Sequence, residues 1–123
     1  MEKVLGIGGV FFRSSDRESV RAWYSTHLGI TPTPTDYEAN CWDTQGGQTV
    51  WEPFADDTDY FGAPGQQWMI NFRVRDLDAM MAQLLAAGVN VAFEADEPNG
   101  RFARLEDPEG NPIQLWEPRG PAA

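Results

Sequence analysis

The chain of 123 residues is one ordinary domain, long enough to bury a core without disulfide or metal staples and too short for a second full domain. Hydrophobic content of 41% and charged content of 23% exclude a disordered or fibrous chain. The 19 acidic against 9 basic side chains give a formal charge of −10, which repels phosphate backbones and anionic membranes, so neither is expected as a partner.

Val4 to Arg13 is rich in β-branched and aromatic residues broken by glycines, the pattern of a buried strand. Ser15-Asp16 then reads as a helix N-cap. Val20, Trp23, Tyr24, His27 and Leu28 follow at spacings of three and four until Gly29 stops the helix. From Thr31 to Phe54 short runs alternate with Pro32, Pro34 and Gly46-Gly47, and three short strands fit, with Thr49-Val50-Trp51 the best strand core. Asp56 to Gln67 carries acidic, glycine and proline residues and reads as a polar connection at the midpoint of the chain. Trp68 to Val74 predicts another strand. Asp76 caps a helix with the apolar stripe Leu77, Met80, Met81, Leu84 and Leu85, ending at Gly88. Val89 to Glu94, Arg101 to Glu106 and Pro112 to Glu117 supply three more strands, the last two joined by a turn at Asp107-Pro108-Glu109-Gly110-Asn111.

The two halves match in order. Phe12 and Phe72 lie 60 positions apart, as do Asp16 and Asp76, and Trp51-Glu52-Pro53 returns as Trp116-Glu117-Pro118 after 65. The chain therefore reads as an α+β fold of two βαβββ modules, residues 1–60 and 66–118, within a single domain covering 1–123. The one cysteine, Cys41, excludes an internal disulfide and has the default reading of a buried apolar thiol. With no basic leader and no run of about 18 apolar residues, a soluble cytoplasmic protein is expected.

The segments Ala22-Trp23-Tyr24 to Leu28-Gly29-Ile30, Val74-Arg75-Asp76-Leu77-Asp78 with Ala87-Gly88-Val89, and Asp107-Pro108-Glu109-Gly110-Asn111-Pro112-Ile113-Gln114-Leu115-Trp116 resemble the vicinal oxygen chelate superfamily. That group holds glyoxalases, bleomycin-resistance proteins, fosfomycin-resistance enzymes and extradiol dioxygenases. The resemblance implies a curved mixed sheet, the glyoxalase/bleomycin-resistance-like fold, cupping one small-molecule pocket. It also implies a homodimer whose pockets lie between halves supplied by two chains. In metal-using members the ligands sit on the first and last strands of each module. Here the two first-strand positions fall on Gly9 and Met69 and the last-strand positions on Gln114 and on Thr49, or Glu52 if that strand bulges. Imidazole and carboxylate supply most of the affinity for zinc, nickel, manganese or iron, so this set implies no metal site and no other cofactor. His27, near the end of the first helix, has a helix-end structural role as its ordinary explanation.

Residues two apart on a strand share a face, so each former ligand position fixes its neighbours. Gly9 places Phe11 and Arg13 on the concave side, Met69 places Asn71 and Arg73, Thr49 places Trp51, and Gln114 places Trp116. Val10, Phe12, Ile70, Phe72, Ile113 and Leu115 then face the helices. The expected ligand-binding residues are thus Phe11, Arg13, Thr49, Trp51, Met69, Asn71, Arg73, Gln114 and Trp116, a mixture of aromatic, amide and charged groups suited to a small-molecule pocket.

Trp51 and Trp116 either sandwich a flat or cationic ligand or pack against a neighbouring strand or a partner subunit; the pattern assigns no face to Trp42 or Trp68. Arg13 and Arg73 either pair with Glu52, Glu117 or Glu38 or favour an anionic group on the ligand, against the sign of the whole chain. No nucleophile with an adjacent base is legible, so no catalytic residue is named. A metal-independent binding protein of the bleomycin-resistance, drug-sequestering type ranks first. A glyoxalase-like lyase or isomerase with an altered metal site ranks second, with Glu52 as its candidate acid or base, and a purely interacting or structural homodimer third.

Overall fold

The computed structural model describes residues 1–123. Helix α1 spans Arg17–Leu28, and the second half runs β1 (Ile70–Arg73), α2 (Leu77–Ala86), β2 (Ala92–Glu97), β3 (Gly100–Glu106) and β4 (Pro112–Pro118), closed by a short 3₁₀ turn at Gly120–Ala122. No helix is long and apolar enough to cross a membrane.

Both helices start and stop where their capping residues dictate. The Asp16 carboxylate accepts the Ser19 N–H at 3.1 Å and the Asp76 carboxylate the Ala79 N–H at 3.0 Å, each satisfying a first-turn amide that has no intrahelical partner. Glu117 Oε1 accepts the Leu77 N–H at 2.9 Å and so ties β4 to the start of α2. Gly29 at φ 72° and Gly88 at φ 79° take the left-handed conformation beyond the last turns, which glycine adopts without steric penalty.

The four strands form one mixed sheet in the order β1-β4-β3-β2. β1 and β4 are parallel, as the α2 crossover requires, while β2–β3 and β3–β4 are antiparallel. Leu77 and Leu84 of α2 bury against Ala103, Leu105, Ile113 and Leu115, and Trp23, Tyr24 and Leu28 of α1 pack on the same cluster. The face carrying Ile113 and Leu115 is therefore the dry one, as alternation predicts, and Gln114 points to the other side.

The expected strands at 4–13 and within 31–54 do not form; residues 1–69 carry α1 and no strand. Glycines at 6, 8 and 9, prolines at 32 and 34 and the Gly46-Gly47 pair interrupt the β-prone runs. Val4, Leu5, Phe11, Val50 and Trp51 stay exposed, so those runs gain no packing that would offset the ordering of a ladder. A βαβββ unit is complete at residues 70–118, and the mixed sheet with two helices has the α+β class expected. Cys41, expected in an apolar interior, is exposed.

The β3–β4 turn holds α1 in place. Asp107 Oδ1 accepts the Glu109 and Asn111 N–H groups at 2.8 and 3.0 Å, while Oδ2 accepts the Asn111 side-chain amide and the Tyr24 hydroxyl, both at 2.7 Å. Glu109 reaches the other end of α1, accepting from the backbone and hydroxyl of Ser15. Burial, then the bond to Asp107 and its charge, hold the Tyr24 phenol well above its ordinary range. A hydroxyl whose folded pKa is raised adds stability below the ordinary tyrosine pKa of about 10 and loses it as pH climbs from there towards the folded value. Tyr24→Phe should cost about 1.5–3 kcal/mol at pH 8, the range for a hydrogen bond to a charged group, and should flatten the fall in stability between about pH 10 and 12. Denaturant unfolding of both proteins across that range checks it; parallel pH curves would contradict the assignment.

Candidate functional site

The sheet face opposite α2 carries a polar row set by strand register. Asn71 of β1 stands opposite Gln114 of β4, and Gln114 opposite Arg104 of β3. The Asn71 side-chain amide donates to Gln114 Oε1 at 2.7 Å. On β2 the register shifts between Phe93 and Ala95, leaving Glu94 as an extra residue in a bulge, a device that re-aims a side chain. Glu94 Oε2 accepts from Gln114 Nε2 at 3.2 Å and from the Tyr60 hydroxyl, and Gln114 Nε2 also donates to the Tyr60 oxygen at 2.8 Å. The Arg104 guanidinium lies 4.7 Å from the Tyr60 ring centroid, and Phe54 stacks on that ring at 5.9 Å. Burial, then the bond to Glu94 and its charge, push the Tyr60 phenol up to about 12, with Arg104 opposing.

An open cleft of about 3380 Å³ separates the first-half segments from the sheet, well above the roughly 300–1,000 Å³ of an ordinary ligand pocket. Phe11, Thr49, Trp51, Met69, Asn71, Arg73, Gln114 and Trp116 line it; Arg13 does not. Tyr60, Glu94 and Arg104 lie outside that lining and join it through Gln114.

The lining residues differ in how free they are. Trp116 is 4% exposed, stacked on Phe102 at 6.0 Å with its rings nearly parallel, and its indole N–H donates to the Asn99 carbonyl at 3.0 Å. Gly100, at φ 144°, leaves room for that indole, since a Cβ there would stand 2.5 Å from its nitrogen. Trp51 is 74% exposed, with Trp68 at 6.3 Å as its aromatic neighbour. The Arg73 guanidinium pairs with no glutamate; it donates to the carbonyls of Gln45 and Gly46 at 2.8 and 3.1 Å, and Gly47 has no Cβ to obstruct it.

The donor set does not fit a divalent metal. Gly9 offers no atom, Met69 a thioether, Thr49 a neutral hydroxyl, and both amide atoms of Gln114 are already hydrogen-bonded. Nowhere do three His, Cys, Asp or Glu side chains come close enough to share an ion. His27 closes α1 beside Trp23, 5.4 Å between ring centres. Sequence reasoning missed Tyr60, Glu94 and Arg104. Only Arg104 had a legible signal, since counting back across the Asp107–Asn111 turn places it opposite Gln114.

A mixed β1-β4-β3-β2 sheet, helices packed on its dry face and a polar row on the other define a glyoxalase/bleomycin-resistance-like α+β domain. The model of the glyoxalase-like domain family matches residues 9–116, and the chain belongs to that family. Among solved structures it is similar to TnmS3, an antibiotic binding protein from Streptomyces sp. CB03234, at 27% identity over 85% of this chain and 88% of that one, with a TM-score of 0.53. A glyoxalase/bleomycin resistance protein from the same organism is 26% identical over 84% and 92%, with a TM-score of 0.51. Lactoylglutathione lyase from Agrobacterium tumefaciens shares the fold at 17% identity over 94% and 96%, with a TM-score of 0.61. No curated protein is significantly similar to the chain.

The two cleft tryptophans should separate cleanly on mutation. Trp116→Ala removes a buried, hydrogen-bonded indole and should cost about 3–5 kcal/mol, whereas Trp51→Ala should change stability by no more than about 0.5 kcal/mol. Urea unfolding of both variants is the measurement, and a neutral Trp116→Ala would show that the indole does not anchor the sheet.

Proposed function

We propose that the protein is a metal-independent small-molecule binding protein of the drug-sequestering type, acting as a cytoplasmic homodimer. The observation that carries this reading is Gln114. The family resemblance assigns it the position of a metal ligand's carboxylate, and its amide is held at both ends, by Asn71 on one side and by Tyr60 and Glu94 on the other. A side chain so engaged recognises a ligand's surroundings by shape and hydrogen bonding rather than by polarising a bond through a metal. The likeness to an antibiotic binding protein and to a bleomycin resistance protein supports the same reading.

In this proposal Trp51 and Phe11 offer exposed aromatic surface for a flat ligand, and Asn71 and Gln114 orient its polar edge. Arg73, held by two backbone carbonyls, supplies a fixed positive charge, and Thr49, Met69 and Trp116 complete the wall, while Arg13, outside the cleft lining, is left out of the proposed site. The single chain buries only 11 of its 123 residues and exposes Val4, Leu5, Ile7 and Phe11 in one run, apolar surface that a second copy would cover.

Three measurements test the reading together. Elemental analysis should find no stoichiometric transition metal; about one ion per chain, lost together with activity on chelation, would overturn it. A panel of planar cationic antibiotics and small carboxylates should show binding without turnover, with Trp51→Ala weakening a stacked ligand by about 1–3 kcal/mol. Turnover of a glyoxal-derived thioester would make the protein an isomerase instead. Sedimentation should give twice the monomer mass at micromolar concentration, and a monomer would remove the dimer from the proposal.

A further inference from the structure

The linker between the halves places Tyr60 in a setting built as if for a ligand. Its hydroxyl donates to Glu94 and accepts from Gln114 Nε2 at 2.8 Å, its ring is stacked on Phe54 at 5.9 Å, and the Arg104 guanidinium covers it at 4.7 Å. These groups come from separate places: β2, β3, β4 and the chain before the linker. Every recognisable part of a phenol, its O–H, its oxygen lone pair and its π face, meets a complementary protein group.

The site's strand-borne members do not depend on Tyr60 for their position. Gln114 is oriented independently by Asn71 at 2.7 Å, Arg104 sits in the β3–β4 ladder opposite it, and Glu94 is presented by the β2 bulge. Tyr60 itself belongs to no helix or strand; it lies in the turn closed by the Gly62 N–H donating to the Asp59 carbonyl at 3.0 Å, where its own N–H bonds only the Thr58 hydroxyl at 3.2 Å. A preformed set of partners on the sheet thus faces an occupant carried on a turn.

We infer that this is a self-occupied subsite for a neutral hydroxyaromatic ligand, with Tyr60 as its resident stand-in. A phenolic ring that displaces Tyr60 donates its hydroxyl to Glu94, accepts from Gln114 and slides beneath Arg104. The hydroxyl must arrive protonated, since a phenolate against the Glu94 carboxylate would repel it, and burial and Glu94 hold the resident phenol protonated up to about pH 12. The inference adds a ligand class to the binding-protein reading and rests on it.

A tethered competitor stands at an effective concentration on the order of millimolar, so free phenols bind the intact protein poorly until it is removed. The test is a calorimetric titration with p-cresol, with toluene as the control lacking the hydroxyl. Tyr60→Ala should bind p-cresol at least about tenfold more tightly than the intact protein and at least about tenfold more tightly than it binds toluene, on that effective-concentration argument. Equal p-cresol affinity in both proteins would overturn self-occupation. Equal affinity for p-cresol and toluene would reduce the site to a hydrophobic hole and overturn hydroxyl recognition. Should Tyr60→Ala fail to fold, Tyr60→Phe keeps the ring while losing its hold on Glu94 and Gln114; p-cresol should then bind several-fold more tightly than to the intact protein, and unchanged affinity would overturn the inference. The change in p-cresol affinity between the Tyr60 variants and the intact protein reads this subsite, whereas the antibiotic panel and thioester assay read the wider cleft, so either can fail without the other.

Discussion

The buried carboxylate of Asp107 is the constraint on which the rest of the molecule hangs. At 5% exposure it would be costly to desolvate without partners, and it has four: two turn amides, the Asn111 side chain and the Tyr24 hydroxyl. The turn amides fix the β3–β4 connection, and that connection sets the register of the central strand pair. The Tyr24 bond brings α1, the only regular element of the first half, onto the core built by the second. One side chain therefore decides both where the ladder starts counting and which helix closes the dry face.

Register then decides the chemistry. Because β3 and β4 pair with Leu105 opposite Ile113, Arg104 must stand opposite Gln114 on the other face, and a slip of one residue would bury both polar groups among Leu77 and Leu84. The parallel pairing of β1 adds Asn71 to the row, and the β2 bulge adds Glu94. A row of amide, amide, guanidinium and carboxylate across four strands is nearly charge-balanced and fully hydrogen-bonded at its centre. In a partly desolvated site such a network specifies hydrogen-bonding ligands by geometry, because any partner it loses must be replaced.

Much of this was legible in the sequence, and the illegible part has a physical cause. Asp76 and the Leu77–Leu84 stripe announce α2 because capping and burial act within a few residues of one another. Ile113 and Leu115 announce the dry face because period-two alternation survives wherever one side of a sheet is buried. Parity from Met69 expects Asn71 on the same face as Gln114, and the Asn71 side-chain amide donates to Gln114 Oε1. The strands expected before Ile70 rested on β-prone composition, on the match between the two halves and on the family resemblance, whereas β-propensity expresses packing against neighbours that these residues do not have in the single chain. Tyr60 and Glu94 meet across 34 positions, one from a linker and one from a bulge, and no local pattern encodes either placement.

The sequence also left a conflict of sign, between an acidic chain and the arginines at its cleft. Arg73 is oriented by backbone carbonyls, which direct its hydrogen bonds but carry no net charge, while Glu117, one of its candidate partners, is engaged by the Leu77 amide. The guanidinium therefore keeps its full charge at the cleft. The chain's −10 is spread over the whole surface, and at physiological salt the screening length is about 8 Å, so distant carboxylates act weakly at a given point of the cleft. A charge within about 4 Å of a bound group outweighs them, because its interaction is neither spread nor screened to the same degree. Net charge thus favours the approach of cations, while in the binding protein proposed above Arg73, Glu94 and Gln114 are the groups assigned to hold and orient the ligand.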